Sequence, residues 1–250
     1  MNESVKRFIH ECGQRGFGRK GAVFSRCLGD GVYQNVSMAQ KASTGYALPG
    51  KAKKVSRITL GIWSMYANLS PLRFSLREHT NFFSPENIVG RRFDISTFPG
   101  PEEECEIMCD KGFDLLDSIV TQRTLLDTVY EWYKVRVGMF PTHEPDLAAP
   151  FFLCGEVSDA LNQLYGLYSQ HWLAFHDMHD ALRDAGEYSQ YLQKERECED
   201  SLREHVHFLT LILGNRQEEI REYLSENFKR NVEMAKKENI PFLPSFKSCV

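Results

Sequence analysis

The sequence predicts an α+β protein, with an N-terminal antiparallel sheet, one or two helices that cover it, and antiparallel helices in the C-terminal part. In several short segments of the first hundred residues, apolar residues alternate with a period of two. Beyond them, apolar residues recur every three or four positions. The short strands follow one another without long helices between them, which favours antiparallel pairing. We therefore expect a sheet unit over residues 1–100 and a helical unit over residues 101–250.

The first predicted elements are a helix and a β-hairpin. From Ser4 onward, Val5, Phe8 and Cys12 recur at helical spacing. Two alternating segments follow, GAVFSRCL and VYQNVSMAQ, and the Gly-Asp-Gly between them predicts a tight turn because glycine adopts positive φ. Two further strands are predicted in VSRITLGIWS and GRRFDIST.

The C-terminal part predicts a series of amphipathic helices. Residues 111–137 carry one apolar stripe, which consists of Leu116, Ile119, Leu126, Val129, Tyr130, Tyr133 and Val137. A long helix is predicted around residues 161–182 and another around 191–213. A last helix is predicted to begin where Asn215 and Glu218 resemble a capping box. The short connections between these helices favour antiparallel neighbours.

The charges of the chain are distributed unevenly. The net charge is -4, but residues 1–100 contain 15 Lys and Arg against 6 Asp and Glu, whereas residues 101–250 contain 15 against 28. Such asymmetry has three interpretations: a basic face that binds a polyanion, an acidic surface that mimics one, or two halves that attract each other. The sequence leaves all three open.

The cysteines and the first residues indicate a cytoplasmic protein. The seven cysteines are irregularly spaced, which is typical of reduced thiols rather than of a disulfide framework. Cys105 and Cys109 stand four apart, but no second pair completes a zinc site. The start, MNESVKRFIHECGQRG, has no apolar core of signal-peptide length, and the longest apolar run is far too short to span a membrane. We expect no cofactor and no membrane association.

The densest polar cluster is the segment HWLAFHDMHDALRD. On a helix, His176, His179 and Asp180 fall on adjoining turns, and this combination of ligands is typical of sites for zinc or a catalytic divalent ion. However, His179 shares its apolar stripe with Trp172 and Phe175, a pattern also typical of a histidine buried between helices. The sequence therefore predicts structural histidines, with metal-assisted hydrolysis as the alternative.

The basic residues of the first half form a second candidate site. They are Arg15, Arg19, Lys20, Arg26, Lys51, Lys53, Lys54, Arg57, Arg91 and Arg92, and the aromatic residues interleaved with them are Phe17, Phe24, Tyr33 and Trp63. A sheet with exposed aromatic side chains and a basic rim binds single-stranded nucleic acid by stacking and charge. The alternative of nucleic-acid binding therefore rests on Arg19, Lys20, Arg91 and Arg92.

Three segments, GFGRKGAVFSR, VYQNVSMAQKAS and VSRITLGIW, resemble in their order the bacterial domain of unknown function 4304 family. The resemblance covers about the first 65 residues and rests on Gly16, Phe17, Arg19, Lys20, Gly21, Phe24, Arg26, Gln40, Lys41, Ser43, Leu60 and Gly61. Ala42, between Lys41 and Ser43, departs from the family's pattern. The resemblance implies a bacterial intracellular protein, of a kind associated with toxin-immunity or defence loci, and it assigns no active site.

The sequence shows no assembled catalytic set, so we expect a non-enzymatic protein that binds another protein, as a toxin-immunity or defence-associated protein would. The predicted binding surface consists of Glu218, Glu219 and Glu222 in the acidic C-terminal part, because complementary charge accelerates the encounter with a cationic partner. The two alternatives are the metal-assisted hydrolase and the nucleic-acid-binding protein described above.

Overall fold

The computed structural model describes residues 2–42, 54–68, 83–90, 101–137, 145–166, 196 and 203–250. It confirms the predicted α+β class. The four strands follow the chain in the order β1-β2-β3-β4, and they are β1 (Gly18–Lys20), β2 (Val23–Leu28), β3 (Val32–Ala42) and β4 (Lys54–Ser64). The predicted strand in GRRFDIST lies outside the described residues.

Nine helical segments are labelled here among the described residues. They are α1 (Glu3–Gln14), α2 (Pro85–Ile88), α3 (Pro101–Ile107), α4 (Phe113–Ser118), α5 (Gln122–Val137), α6 (Ala148–Leu153), α7 (157–166), α8 (203–213) and α9 (Gln217–Lys237). A π-helical turn, Met108–Gly112, joins α3 to α4, and a 3₁₀ turn, Pro145–Leu147, precedes α6. None of the described helices is both long and apolar enough to cross a membrane.

Contacts divide the chain into two compact units whose bounds differ from the predicted change at residue 100. One unit comprises residues 1–63, 75–140 and 233–249, and the other comprises residues 64–74, 141–232 and 250. Helices α3, α4 and α5 thus belong with the sheet, whereas α6, α7 and α8 belong to the other unit. Glu104 explains part of this, because its buried carboxylate accepts a hydrogen bond of 2.6 Å from the backbone N–H of Ile58 on β4.

The predicted hairpin is confirmed. Strands β2 and β3 pair antiparallel, with Phe24 opposite Val36 and Arg26 opposite Gln34. The turn between them contains Gly29 and Gly31, with φ of 56° and 74°. Both faces of the hairpin are buried, because Ser25, Cys27, Tyr33 and Asn35 on the second face are as inaccessible as the residues on the first.

The sequence analysis missed strand β1. Its three residues pair with Val23–Ser25 across a turn at Gly21, which has φ of 62°. Beyond β1, the C-terminal segment occupies the same edge of β2. The N–H of Cys27 donates to the carbonyl of Pro241 (2.8 Å), and the N–H of Leu243 donates to the carbonyl of Cys27 (2.9 Å). Strand β1 and the C-terminal segment, which are distant in sequence, therefore pair with the same edge of β2.

Aromatic packing joins α1 and α4 to the sheet. The ring of Phe8 lies 5.7 Å from that of Phe24 and 5.6 Å from that of Phe113, measured between centroids, and all three side chains are buried. Phe17 contacts Phe113 at 6.1 Å. Burial of this cluster removes a large apolar area from water and is a main source of stability for the sheet.

The stripe predicted over residues 111–137 is confirmed in part, because Leu116, Ile119, Leu126 and Val129 are buried. It does not run along one continuous helix, because the helix is interrupted between α4 and α5. The hydroxyl of Thr124 accepts hydrogen bonds from the N–H groups of Val120 (3.1 Å) and Thr121 (3.0 Å), which stabilises the break. On α5, Leu125 and Trp132 are buried in addition, whereas the predicted Tyr130 and Tyr133 are only half-buried.

Helices α8 and α9 form an antiparallel pair, since Phe208 and Tyr223, at similar distances from their connection, stack at 5.0 Å. Asn215 in this connection does not play the predicted part of a capping box. It has φ of 51°, and the N–H of Arg216 donates to the carbonyl of Leu211 (3.1 Å). Asn215 therefore ends α8 in a left-handed conformation instead of capping α9.

Candidate functional site

The predicted protein-binding residues lie on the first half of α9. Glu218, Glu219, Glu222 and Glu226 are all exposed, and we call these four residues the acidic surface. Arg216 offsets part of the charge, because its guanidinium lies 3.3 Å from the carboxylate of Glu219. Both side chains of this pair are about half exposed, so water screens the attraction and the pair leaves the surface acidic.

The opposite face of α9 is fixed by apolar burial and by asparagine hydrogen bonds. Ile220 and Leu224 are buried. The amide of Asn231 donates to the carbonyls of Met65 (2.8 Å) and Ala67 (3.0 Å), and Asn231 is itself fully buried. These bonds satisfy carbonyls in the segment that follows β4, and they hold the helix in one rotational setting. The carboxylates of the acidic surface are therefore presented from a rigid element.

A second asparagine and an arginine reinforce this attachment. The guanidinium of Arg230 donates to the side-chain oxygens of Asn68 (2.5 Å) and Asn227 (2.8 Å). Phe228 stacks on Tyr66 with ring centroids 4.9 Å apart. These asparagines were not predicted from the sequence, although Asn227 and Asn231 stand four apart on the same face.

An exposed apolar side chain lies next to the acidic surface in sequence. Leu213, the last residue of α8, is 58% exposed. Three residues connect it to the start of α9. Single exposed apolar side chains are common on protein surfaces, so Leu213 by itself does not mark an interface.

The basic residues of the N-terminal part divide into exposed and buried ones. Arg19 and Lys20 are exposed on β1, as a nucleic-acid-binding role requires. The Nε of Arg19 donates to the carbonyl of Gly21 (3.0 Å), and its guanidinium lies 5.4 Å from the centroid of the Phe24 ring. Arg26, by contrast, is only 1% exposed and belongs to the core.

The aromatic residues that would stack on bases are not exposed. Phe17, Phe24, Tyr33 and Trp63 are all buried. Base stacking needs accessible ring faces, so this part of the nucleic-acid interpretation is wrong. Arg91, Arg92, His176, His179 and Asp180 lie outside the described residues, and their predicted roles stay predictions.

Arg26 is the centre of a buried polar network. Its guanidinium donates to the side-chain oxygen of Gln34 (3.0 and 2.8 Å) and to the carbonyl of Arg15 (2.7 Å), and it lies 2.6 Å from the carboxylate of Asp117. It also covers the ring of Phe17 at 4.1 Å. Burial lowers the pKa of Arg26, whereas the hydrogen bond with Asp117 raises it. Phe17 and Arg26, which carry part of the family resemblance, are thus structural residues.

The cysteines near α1 and α3 are protonated thiols. Cys12 and Cys105 are buried, and burial raises the pKa of both, that of Cys105 to about 12. Burial also raises the pKa of the half-buried Cys109. A thiolate, not a thiol, is the nucleophile and the metal ligand, so these groups are poorly suited to either task at neutral pH. Within the described ranges, no group of three or more His, Cys, Asp or Glu could hold a metal ion.

The raised pKa of Cys105 predicts a loss of stability in alkali. In the unfolded chain the thiol loses its proton near pH 9.0, whereas in the folded protein it keeps the proton until about pH 12. Its contribution to stability is therefore complete below pH 9.0 and is lost as the pH rises toward about 12. We expect the free energy of unfolding, measured by urea titration, to fall less steeply over this interval in Cys105→Ala than in the wild type.

Cys249→Ala provides the control, because Cys249 is exposed. Its unfolding free energy should follow the wild-type pH dependence. Equal slopes for Cys105→Ala and Cys249→Ala would contradict the assignment of this effect to burial of Cys105.

The sequence analysis also missed a cavity lined by Asn87, Asp127, Glu131 and Trp132. The signal available was a pair of carboxylates four residues apart in TLLDTVYEWY, but nothing in the sequence places Asn87 beside them.

No protein-family model matches the chain, and neither a curated protein nor a solved structure was found to be similar to it.

Proposed function

We propose that this is a non-enzymatic binding protein whose acidic surface docks a cationic protein, such as a basic toxin that it would neutralise. The observation that carries the proposal is the exposure of four carboxylates on one side of α9 while asparagine side chains fix its other side. A rigid charged surface loses little conformational freedom on binding, so more of its interaction energy appears as affinity.

Charge and apolar contact would have different effects in such a complex. The carboxylates would attract a basic partner over a distance of about one Debye length, roughly 10 Å at moderate salt, and would accelerate its association. Leu213 would then supply an apolar contact that slows dissociation. The resemblance to a family associated with toxin-immunity loci is in agreement with this type of partner.

The test reverses the charge of the acidic surface in Glu218→Lys/Glu219→Lys/Glu222→Lys. Wild-type protein captures its partner at low salt from a lysate of the organism that encodes it, and association rates are then measured with the purified partner. We expect the reversed variant to associate about tenfold more slowly, or slower still, at low salt, because attraction becomes repulsion. The difference should shrink as salt is added.

A matched control applies the same change of charge to exposed carboxylates elsewhere, in Glu102→Lys/Glu103→Lys/Asp159→Lys. This variant should associate at nearly the wild-type rate. The proposal is contradicted if both triple variants associate equally fast, if the captured partner is acidic, or if nothing is captured. Circular dichroism of both variants should match the wild type, because all six side chains are exposed.

A further inference from the structure

A cavity of about 410 Å³ lies among α2, α4 and α5, within the range of volumes typical of small-molecule sites. Ile88, Leu115 and Trp132 give it apolar walls. Trp132 is itself held by an edge-to-face contact with Phe83, with ring centroids 4.9 Å apart. This contact fixes the indole, so the apolar wall is formed before any ligand binds.

Asn87, which lines the cavity, carries a hydrogen-bond donor that no described residue pairs with. Asn87 is 4% exposed. Its Oδ1 accepts hydrogen bonds from the backbone N–H of Ser84 (2.9 Å) and from the Ser84 hydroxyl (3.3 Å), so the other side of the amide must carry the NH₂ group. That nitrogen, Nδ2, is buried and has no hydrogen-bond partner in the part of the chain that the structure describes. An acceptor on a bound molecule would satisfy it.

Two carboxylates lie at the same cavity. Asp127 and Glu131 both line it, both are exposed, and they stand four apart on α5. Like charges at this spacing repel each other and destabilise a helix. Neither carboxylate forms an ion pair with a residue in the described part of the chain. A cation between them would remove the repulsion.

We propose that this cavity binds a small organic cation, namely a primary amine that has an apolar body and a hydrogen-bond acceptor. The amine lies between the carboxylates of Asp127 and Glu131, the apolar body packs on Trp132, and the acceptor takes the unpaired N–H of Asn87. Binding is non-covalent. This site shares no residue with the acidic surface on α9, and the proposal does not depend on a protein partner.

Three probes of similar shape and different charge test the proposal. Tyramine carries an amine, a ring and a phenolic oxygen; 4-ethylphenol lacks the amine; and 3-(4-hydroxyphenyl)propionate replaces it with a carboxylate. Binding is followed by NMR through the side-chain amide signal of Asn87, assigned with Asn87→Asp, and through the indole N–H signal of Trp132, assigned with Trp132→Phe. We expect tyramine to shift both signals with a Kd of about 1 mM or lower, as suits a ligand of this size.

The neutral and anionic probes should bind at least about tenfold more weakly, because they leave the carboxylates unneutralised. The variant Asp127→Asn/Glu131→Gln should bind tyramine about tenfold more weakly than the wild type does. It should also bind tyramine no more tightly than it binds 4-ethylphenol. Asp159→Asn/Glu233→Gln removes the same charge from exposed carboxylates elsewhere and should bind tyramine as the wild type does. The proposal is overturned if tyramine shifts neither signal, if it binds no better than 4-ethylphenol, or if the two double variants behave alike.

Discussion

Asp117→Asn is expected to lower the free energy of unfolding by about 3 kcal/mol, because it leaves the guanidinium of Arg26 charged and buried without a carboxylate. Arg26 is 1% exposed, and Asp117, whose side chain is 40% exposed, pairs with it at 2.6 Å and also pairs with Arg15. The neighbouring guanidinium of Arg15 disfavours the charged form of Arg26, so the loss of Asp117 leaves two like charges close together. Urea denaturation followed by circular dichroism measures the change.

Asp114→Asn is the matched control for this prediction. Asp114 pairs with Arg15 at 2.8 Å, but its side chain is 76% exposed, so water already solvates most of it. We expect a loss of less than about 1 kcal/mol, as for other exposed ion pairs. Equal stability of Asp117→Asn and Asp114→Asn would contradict the prediction, because it would show that the burial of Arg26 does not increase the effect of losing Asp117.

Gly29→Ala is expected to be similarly damaging, by about 3 kcal/mol, because it combines an unfavourable backbone conformation with a collision. Gly29 has φ of 56°, and an added Cβ would lie 1.9 Å from the carbonyl oxygen of Val120. The same carbonyl accepts a 2.7 Å hydrogen bond from the N–H of Asp30, and the carbonyl of Gly29 accepts one of 2.9 Å from Lys247. Displacement of the turn would therefore disturb three segments at once.

Gly21→Ala separates the two causes. Gly21 has φ of 62°, but an added Cβ meets no atom within 4 Å. This variant should lose only the conformational contribution, about 1 kcal/mol. A Gly29→Ala protein that unfolds at the same urea concentration as Gly21→Ala would show that the approach of Val120 to Gly29 is not tight.

Local patterns accounted for the elements that could be predicted. Strict alternation, together with glycines that permit positive φ, predicted the hairpin, because both signals lie within a few residues of each other. Its register, with Phe24 opposite Val36, came only from the structure. Strand β1 was missed because three residues are too few to show a period, and because its partner on β2 defines it. The break before α5 was missed because the residues that form it, Thr121 and Thr124, are of a type that also occurs away from helix ends.

The alternation of residues along β2 indicates that Arg26 is buried, whereas its charge alone suggests that it is exposed. Arg26 alternates with Phe24 and Leu28, which places all three on one face of β2, and all three are buried. Counted by charge alone, Arg26 belonged to a basic surface; placed by periodicity, it belonged to the core. The structure resolves the conflict through Gln34 and Asp117, which neutralise and hydrogen-bond the guanidinium inside the protein.

By itself, the sequence determined the fold class, the hairpin, the uneven distribution of charge and the position of the acidic surface on a helix, since each of these depends on neighbours along the chain. Only the tertiary structure decided which charges are buried, which aromatic rings are accessible and where a cavity forms. The cavity brings Asn87 beside Asp127, forty positions apart in the chain. Such proximity results from packing between elements, which residue spacing within one element does not encode.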